Sequence, residues 1–155
     1  MSASSEPPGR LRTSSATETE ALGAELAGRL RPGDLVLVEG DLGAGKTTLV
    51  RGAVRALGHE GRVASPTFTI AARYEDGRVP VSHLDLYRLH EAGADAEDLI
   101  LLSDELTPDR VVFVEWPDTL VLSELVPGRR PAWRVALRHA GGDARDVEIR
   151  AGDAL

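Results

Sequence analysis

A glycine-rich stretch that ends in lysine and threonine is the part of this sequence with the clearest chemistry. Residues 40–47 read GDLGAGKT and match the pattern GxxxxGK[ST]. In that pattern, glycines let the backbone wrap closely around phosphate, so that amide N–H groups point at phosphate oxygens. The lysine reaches the β- and γ-phosphates, and the threonine hydroxyl binds Mg²⁺. We therefore expect a phosphate-binding loop in which Lys46 and Thr47 have these two roles.

Contacts to a nucleotide are expected along the whole loop and into the residue that follows it. The chain uses arginine for every basic residue except Lys46, its single lysine among 18 basic residues. A lysine at the one position that needs a compact ammonium supports the motif. Asp41 is interpreted as a residue that shapes the loop. The positions predicted to contact the nucleotide are Asp41, Leu42, Gly43, Ala44, Gly45, Lys46, Thr47 and Thr48.

A bound Mg²⁺ ion needs a second protein anchor, normally a carboxylate at the end of a neighbouring strand. Glu115 follows the apolar run VVFV and is the first candidate, and Asp85 closes the run VSHLD and is the second. Either could instead be a strand-end carboxylate that pairs with an arginine. His83 could orient a carboxylate, relay a proton or pack inside a strand. We predict Thr47 and Glu115 as the metal ligands.

The identity of the base follows in part from residues that the chain lacks. GTPases of the Ras type read guanine with an Asn/Thr-Lys-x-Asp motif, and the sole lysine is already in the phosphate loop. ATP is therefore favoured over GTP. The chain also contains no glutamine, which is the residue that positions water in those GTPases. Hydrolysis is expected to be slow or to be assisted by another residue.

Composition limits the classes of protein that remain. The chain has 155 residues, of which 42% are hydrophobic, and this is enough for about one domain with one core. A net charge of -7 disfavours a broad basic surface, so tRNA or DNA would be reached through a partner. The absence of cysteine excludes disulfides, thiolate metal sites and a catalytic thiol. Because no membrane-length apolar stretch or secretory signal is found, we expect a cytoplasmic protein and no membrane association.

Apolar patterns place the loop between a strand and a helix. The run LVLVE at residues 35–39 predicts a buried strand, and the spacing after Lys46 predicts a helix that Gly58 ends. Residues 1–12 are rich in Ser, Pro and Gly and predict a flexible tail, and residues 13–155 are expected to form a single domain. The fold class that we predict is α/β, a three-layer P-loop NTPase-like domain with a mixed β-sheet flanked by helices. The other predicted elements are helices over residues 18–31 and 94–102, a strand over 111–115, and hairpins of 69–74 with 79–85 and of 133–139 with 145–150.

Four sequence blocks follow one another in a fixed order. They are GDLGAGKTTLVRG at residues 40–52, SPTF at 65–68, HLDLYR at 83–88 and EWP at 115–117. With these blocks, residues 14–150 resemble the bacterial TsaE (YjeE) family, and the resemblance implies a P-loop ATPase that binds Mg-ATP. Such a protein works with the TsaB and TsaD proteins, which attach a threonylcarbamoyl group to adenosine in tRNA. Its ATP cycle is thought to reset the complex between turnovers, and it reaches tRNA only through that complex.

The resemblance also implies roles for particular residues. Lys46, Asp85 and Glu115 would be the catalytic residues, and Asp85 would act directly or by positioning water. Thr47 and Glu115 would hold Mg²⁺. The remaining implied positions are Thr67 near the γ-phosphate, Trp116 beside the metal site, and residues 13–17 near adenine.

Two other functions share the same loop. Small-molecule kinases have this size and motif, and Arg129 and Arg130 could then act as lid arginines. A nucleotide-dependent switch would bind ATP to change its affinity for a partner, without useful hydrolysis. Asp85 and Glu115 would then be dispensable for turnover but not for binding.

Overall fold

The computed structural model describes residues 9–66 and 69–155 of the chain. Residues 1–8 of the flexible tail predicted for residues 1–12, and the position predicted for Thr67, lie outside the described residues.

A mixed sheet forms the middle layer of the described structure. Its strands are β1 (Gly9–Thr13), β2 (Leu35–Glu39), β3 (Ala71–Tyr74), β4 (Val81–Asp85), β5 (Val111–Glu115), β6 (Trp133–His139) and β7 (Arg145–Arg150). They lie in the order β1-β7-β6-β2-β5-β4-β3. The four strands in the middle, β6, β2, β5 and β4, are parallel to one another. Their carboxyl ends therefore meet at one edge of the sheet.

Helices cover both faces of this sheet. They are α1 (Ala16–Ala27), α2 (Lys46–Ala56), α3 (Tyr87–Ala92), α4 (Ala96–Glu105) and α5 (Thr119–Leu125). In β2, Val36 and Val38 pack towards α1 and α2, whereas Leu35 and Leu37 pack towards the other three helices. Alternation along a strand sends successive side chains to opposite faces, and both faces are apolar here. The predicted three-layer α/β fold with a mixed sheet is confirmed.

Residues 9–12 belong to the sheet rather than to the flexible tail that their composition predicts. Together with Thr13 they form β1, which runs antiparallel to β7. Arg12 also forms a salt bridge to Asp146, with 2.8 Å between Nε and Oδ1. Backbone hydrogen bonds to a neighbouring strand need no apolar side chains, so this edge strand leaves little trace in composition. The prediction of a tail over residues 9–12 is therefore wrong.

Helix α1 starts and ends earlier than predicted. Its N-cap is Ser15, whose hydroxyl accepts a hydrogen bond from Glu18 N at 3.1 Å. After Ala27 the chain continues in tight turns, with Leu30 N bonded to Ala27 O. These bonds reach three residues back rather than four, which ends the α-helix before residue 31.

Glycines allow α1 and α2 to pack backbone against backbone. A Cβ atom at Gly52 would lie 1.9 Å from Glu20 O, and one at Gly23 would lie 2.0 Å from Leu49 O. Any side chain at either position would force the helices apart. This contact therefore fixes α2, and with it the loop that precedes the helix.

Sequence patterns did not predict α3 or α5, and they predicted too early an end for α4. Helix α3 has six residues, and its N-cap, Leu86, offers no side-chain hydrogen bond. Helix α5 does have a cap, since Asp118 Oδ1 accepts from Leu120 N and Val121 N at 3.1 Å each. Helix α4 runs on to Glu105, three residues beyond the prediction. In the part of the chain that the structure describes, no helix has the length and apolar character to cross a membrane.

Candidate functional site

The predicted phosphate loop joins the carboxyl end of β2 to the first turn of α2. Gly40 has φ 149°, and a Cβ atom there would lie 2.6 Å from Leu137 O. Gly45 precedes α2 with φ 98°, in the left-handed region that other residues adopt only at a cost. The first glycine is needed for space and the second for backbone conformation. Together they allow the chain to turn from the sheet into the helix.

Lys46 is buried under the loop, with its ammonium facing backbone oxygens. The residue is 5% exposed. Its Nζ donates hydrogen bonds to Gly40 O at 2.5 Å and to Asp41 O at 2.9 Å. Burial lowers the pKa of Lys46, and the charges of Glu115, Asp85 and Asp41 partly oppose that shift. A cation at the base of a loop of backbone amides is suited to contact phosphate oxygens.

The Thr47 hydroxyl faces the carboxylate of Glu115. Its Oγ1 lies 3.1 Å from Oε1 and 3.0 Å from Oε2 of Glu115. The two residues meet because β5 lies beside β2, with Glu115 opposite Val38 in the parallel register. Glu115 is 3% exposed. Hydroxyl and carboxylate oxygens are ligand types that Mg²⁺ prefers.

These two oxygen-bearing side chains fit Mg²⁺ better than a metal that needs a cage of protein ligands. Within residues 9–66 and 69–155, no group of three or more His, Cys, Asp or Glu side chains could hold a metal ion. Magnesium in phosphate sites commonly uses one or two protein oxygens and takes its other ligands from phosphate and water. Thr47 and Glu115 are therefore the residues that would hold it.

His83 holds the Glu115 carboxylate from the neighbouring strand. The imidazole is fully buried, and its Nε2 is hydrogen-bonded to Glu115 Oε2. A hydrogen on Nε2 would be donated to this carboxylate, since an ionised carboxylate can only accept. The other ring nitrogen, Nδ1, is buried with no hydrogen-bond partner in the described structure. Of the three roles considered for His83, orientation of a carboxylate has a direct contact to support it.

Asp85 ends β4 directly beside Glu115, which is its partner in the parallel register. Its Oδ2 accepts from Ser65 Oγ at 2.5 Å, and its Oδ1 accepts from Tyr87 N at 3.0 Å. Both predicted carboxylates thus lie at the edge of the sheet where the phosphate loop begins. The contacts that the structure gives them are to hydroxyl, imidazole and amide groups rather than to an arginine.

The ring of Trp116 lies beside Lys46, and the ring of Tyr87 lies against that of Trp116. Trp116 directly follows Glu115 and has φ 53°, and the centroid of its ring lies 4.3 Å from Lys46 Nζ. The ring centroid of Tyr87 lies 4.8 Å from that of Trp116. An ammonium over an indole face is attracted by the ring. Trp116 therefore lies next to both Lys46 and the candidate metal ligand.

The predicted catalytic, metal-binding and nucleotide-contacting residues, with the exception of Asp41, line one open cleft of about 310 Å³. A larger cavity, about 520 Å³, lies beside α3 and α4 and contains none of them. The larger cavity therefore does not mark the phosphate site. The residues that line the cleft are Leu42, Gly43, Ala44, Gly45, Lys46, Thr47, Thr48, Ser65, Asp85, Glu115, Trp116 and Arg145.

The segment implied to hold adenine touches the far end of the loop at one residue. A small cavity of about 40 Å³ is lined there by Ala16, Thr19, Gly45, Thr48, Asp143 and Arg145. Thr19 is fixed there by a hydrogen bond of 2.7 Å between its hydroxyl and that of Thr13. The cleft thus continues from Thr48 towards the start of α1.

Sequence reasoning missed two residues that contact the loop from β6 and β7. Arg145 donates from Nε to Ala44 O at 3.0 Å and from Nη2 to Gly43 O at 3.1 Å. His139 Nε2 lies 3.3 Å from Leu42 O. Both are about a hundred positions from the loop in sequence. Arginine is common in this chain, so no composition or motif signal distinguishes Arg145.

Comparison with known proteins identifies the family. Residues 13–147 match the family model described as "Threonylcarbamoyl adenosine biosynthesis protein TsaE". The chain is 38% identical over 140 residues to the tRNA threonylcarbamoyladenosine biosynthesis protein TsaE of Bacillus subtilis, with 90% of this chain and 84% of that protein covered. It is 46% identical over 132 residues to the protein of the same name from Streptomyces coelicolor, with 83% and 84% covered.

A solved structure is similar over most of the chain. The crystal structure of Bacillus subtilis YdiB aligns with a TM-score of 0.70 and 31% sequence identity, over 92% of this chain and 84% of that one. The resemblance found from the four sequence blocks is confirmed. The chain belongs to the TsaE family of threonylcarbamoyladenosine biosynthesis proteins.

Proposed function

We propose that this protein is a Mg²⁺-dependent ATPase that acts with the TsaB and TsaD proteins in the threonylcarbamoyladenosine modification of tRNA. The observation that carries the ATPase part is the contact between Thr47 and Glu115. A hydroxyl at the start of α2 meets a buried carboxylate at the end of β5, directly beside the buried ammonium of Lys46. This combination of groups suits a nucleotide phosphate chain with its magnesium ion.

Phosphate binding would use the backbone of the loop as well as Lys46. The first amides of an α-helix have no carbonyl partner within the helix, and their dipole favours an anion. In α2 these are the amides of Lys46, Thr47 and Thr48. Lys46 would exchange its hydrogen bonds to Gly40 O and Asp41 O for phosphate oxygens. This exchange keeps the buried ammonium hydrogen-bonded both without nucleotide and with nucleotide bound.

Thr47 and Glu115 would hold Mg²⁺, and His83 would keep the carboxylate in place. When bound, the ion would supply positive charge against the β- and γ-phosphate oxygens. Both carboxylate oxygens of Asp85 accept hydrogen bonds, from Ser65 and from Tyr87 N. The residue is only half-buried, so it is still accessible from the cleft. Each carboxylate oxygen has further lone pairs, so Asp85 can still accept a hydrogen bond from an attacking water.

Two observations support the proposed partners, namely the family and the net charge. The relatives named above are tRNA threonylcarbamoyladenosine biosynthesis proteins. A net charge of -7 is unfavourable for direct binding of tRNA. Action through the TsaB and TsaD complex removes the need for a basic surface on this chain.

One measurement tests both parts of the proposal. Steady-state ATP hydrolysis should be recorded for the purified protein alone and with TsaB and TsaD of the same organism, with Mg²⁺ present. We expect the protein alone to hydrolyse ATP slowly and the TsaB and TsaD pair to stimulate this hydrolysis clearly. Lys46→Ala should abolish both the basal and the stimulated hydrolysis. Hydrolysis that persists in Lys46→Ala would exclude this site as its source.

The rival functions give different results in the same assay. Nucleotide binding without hydrolysis, with or without the pair, would support a switch. Transfer of phosphate to a small acceptor would support a kinase. Against a kinase, the side chain of Arg129 donates to Gly33 O and Leu106 O. Gly33 precedes β2, so Arg129 lies towards the end of the strand opposite the loop and not over the cleft.

A further inference from the structure

The end of the β6–β7 hairpin lies against the phosphate loop. His139 and Arg145 face each other across the two strands as a register pair. Between them they contact three successive loop carbonyls, those of Leu42, Gly43 and Ala44, at 3.3, 3.1 and 3.0 Å. Side chains of the hairpin thus contact the backbone of the loop.

Arg145 is anchored on the hairpin as firmly as it is on the loop. Its Nη1 donates to Gly142 O at 2.7 Å and to Ala144 O at 2.8 Å. Its Nε and Nη2 are used by Ala44 O and Gly43 O. A planar guanidinium with donors in a fixed fork can bridge two backbone segments in this way, and a lysine ammonium cannot. Arg145 therefore sets the distance and orientation between hairpin and loop.

The orientation of a carbonyl also fixes the amide that follows it. The C=O of one residue and the N–H of the next lie in one peptide plane and, in the trans form, point in opposite directions. With Ala44 O held towards Arg145, the N–H of Gly45 points away from the hairpin. The N–H of Ala44 is directed in the same way by the bond to Gly43 O, and it donates to Asp41 O at 3.0 Å. Amide direction is what a phosphate loop must control before its ligand arrives.

We propose that Arg145 is a positioning residue that presets the amides of the phosphate loop, so that the hairpin and not the loop alone determines affinity for a phosphate chain. This inference rests on the proposed ATP site. Arg145 would act through the Gly43 and Ala44 carbonyls without contact to the nucleoside. The effect of its removal should therefore be the same for ATP and for a phosphate chain that carries no nucleoside.

The test compares two ligands and four proteins. Dissociation constants for ATP and for inorganic tripolyphosphate, both with Mg²⁺, would be measured by calorimetry and by competition. The proteins are the wild type, Arg145→Met, Arg145→Lys and Arg150→Met. Arg150 is an exposed arginine at the other end of β7 and serves as the matched control. Thermal unfolding of each variant, recorded alongside, shows that it is folded at the assay temperature.

We expect Arg145→Met to weaken the binding of both ligands by about tenfold, which is the effect of one lost charge-assisted hydrogen bond. Arg145→Lys should resemble Arg145→Met, because the charge remains but the fork is lost. Arg150→Met should bind like the wild type. If Arg145→Met does not fold, the test is whether Arg145→Lys weakens the binding of both ligands by about tenfold.

Three results would overturn the inference. Wild-type affinity in Arg145→Lys would mean that charge near the phosphates matters and loop geometry does not. A loss for ATP alone would mean that Arg145 contacts the nucleoside. Failure of tripolyphosphate to compete with ATP in the wild type would mean that the loop is not preset for phosphate. By contrast, a wild type that binds neither ligand would contradict the proposed function itself.

Discussion

Asp85 and Glu115 occupy equivalent places in the sheet but have different surroundings. They are register partners at the carboxyl ends of β4 and β5. Glu115 is 3% exposed and is held by His83 on a strand and by Thr47 on a helix. Asp85 is half-buried, and it is held by Ser65 on a loop and by the backbone of Tyr87.

The different surroundings suggest different functions for these two carboxylates. Partners on regular elements fix Glu115 in one position, which suits a metal ligand whose geometry must not vary. Asp85 is more open to solvent, and one of its two partners, Ser65, lies on a loop rather than on a strand or helix. These surroundings suit a group that must accommodate a water or a changing phosphate. We therefore expect Glu115 to govern dependence on Mg²⁺ and Asp85 to govern turnover.

The largest effect is expected from Glu115→Gln. Glutamine keeps the shape and can still accept a hydrogen bond from His83, but it removes the negative charge that a cation requires. The apparent Mg²⁺ affinity in ATP hydrolysis should fall by about 10- to 100-fold. The measurement is a Mg²⁺ titration of hydrolysis at fixed ATP. An unchanged Mg²⁺ midpoint would move the metal role away from Glu115.

A smaller effect with a different signature is expected from Asp85→Asn. Asparagine can keep the contacts to Ser65 and to Tyr87 N, so the fold and the ATP dissociation constant should change little. The turnover number should fall by about tenfold or more, because a carboxylate that orients or accepts from water is lost. Turnover and binding are measured separately, by phosphate release and by calorimetry. A shift in the Mg²⁺ midpoint, as for Glu115→Gln, would erase the distinction between the two residues.

Ser65→Ala probes how far Asp85 depends on its loop partner. The substitution removes the 2.5 Å hydrogen bond to Asp85 Oδ2. We expect turnover to fall by about threefold to tenfold, since one hydrogen bond to a charged group is lost and the carboxylate itself remains. Ser65→Thr keeps the hydroxyl and is the matched control. Equal turnover in both variants and the wild type would show that Ser65 does not position Asp85.

The smallest effect is a spectroscopic one. Trp116 adjoins Glu115, and its ring centroid lies 4.3 Å from Lys46 Nζ and 4.8 Å from the ring centroid of Tyr87. When ATP draws Lys46 towards phosphate, the indole loses its neighbouring cation, so tryptophan emission should change on ATP saturation. The change should disappear in Trp116→Phe and persist in Trp133→Phe. The reverse pattern would place the reporter away from the carboxylates.

The parts of the site that sequence could predict are those that are local in the chain. The loop of residues 40–47 is continuous, and Lys46 is the single lysine. Asp85 and Glu115 were accessible to prediction because each closes a predicted strand, and parallel strands bring such ends to one edge. The hairpin of β6 and β7 was predicted with its observed bounds, since alternation and glycines mark both strands and the turn.

The parts that sequence could not predict depend on contacts between distant segments. Arg145 reaches the loop only because β7 lies beside β6 and β6 beside β2. Residues 9–12 become a strand only because the edge of β7 is available. Helix α3 is too short to show a period, whereas the cap of α5 at Asp118 was a usable signal. His83 has no pattern that separates a residue that orients a carboxylate from a packed one.

The most direct test of the magnesium–nucleotide site is a calorimetric titration of ATP into the wild type and into Lys46→Ala, each with Mg²⁺ and with EDTA. Arg55→Ala, on the last turn of the same helix, is the control. We expect the wild type and the control to bind more tightly with Mg²⁺, and Lys46→Ala to lose on the order of 100-fold in affinity, since charge-assisted hydrogen bonds to two phosphates are removed. Equal binding by Lys46→Ala and the wild type would contradict the site.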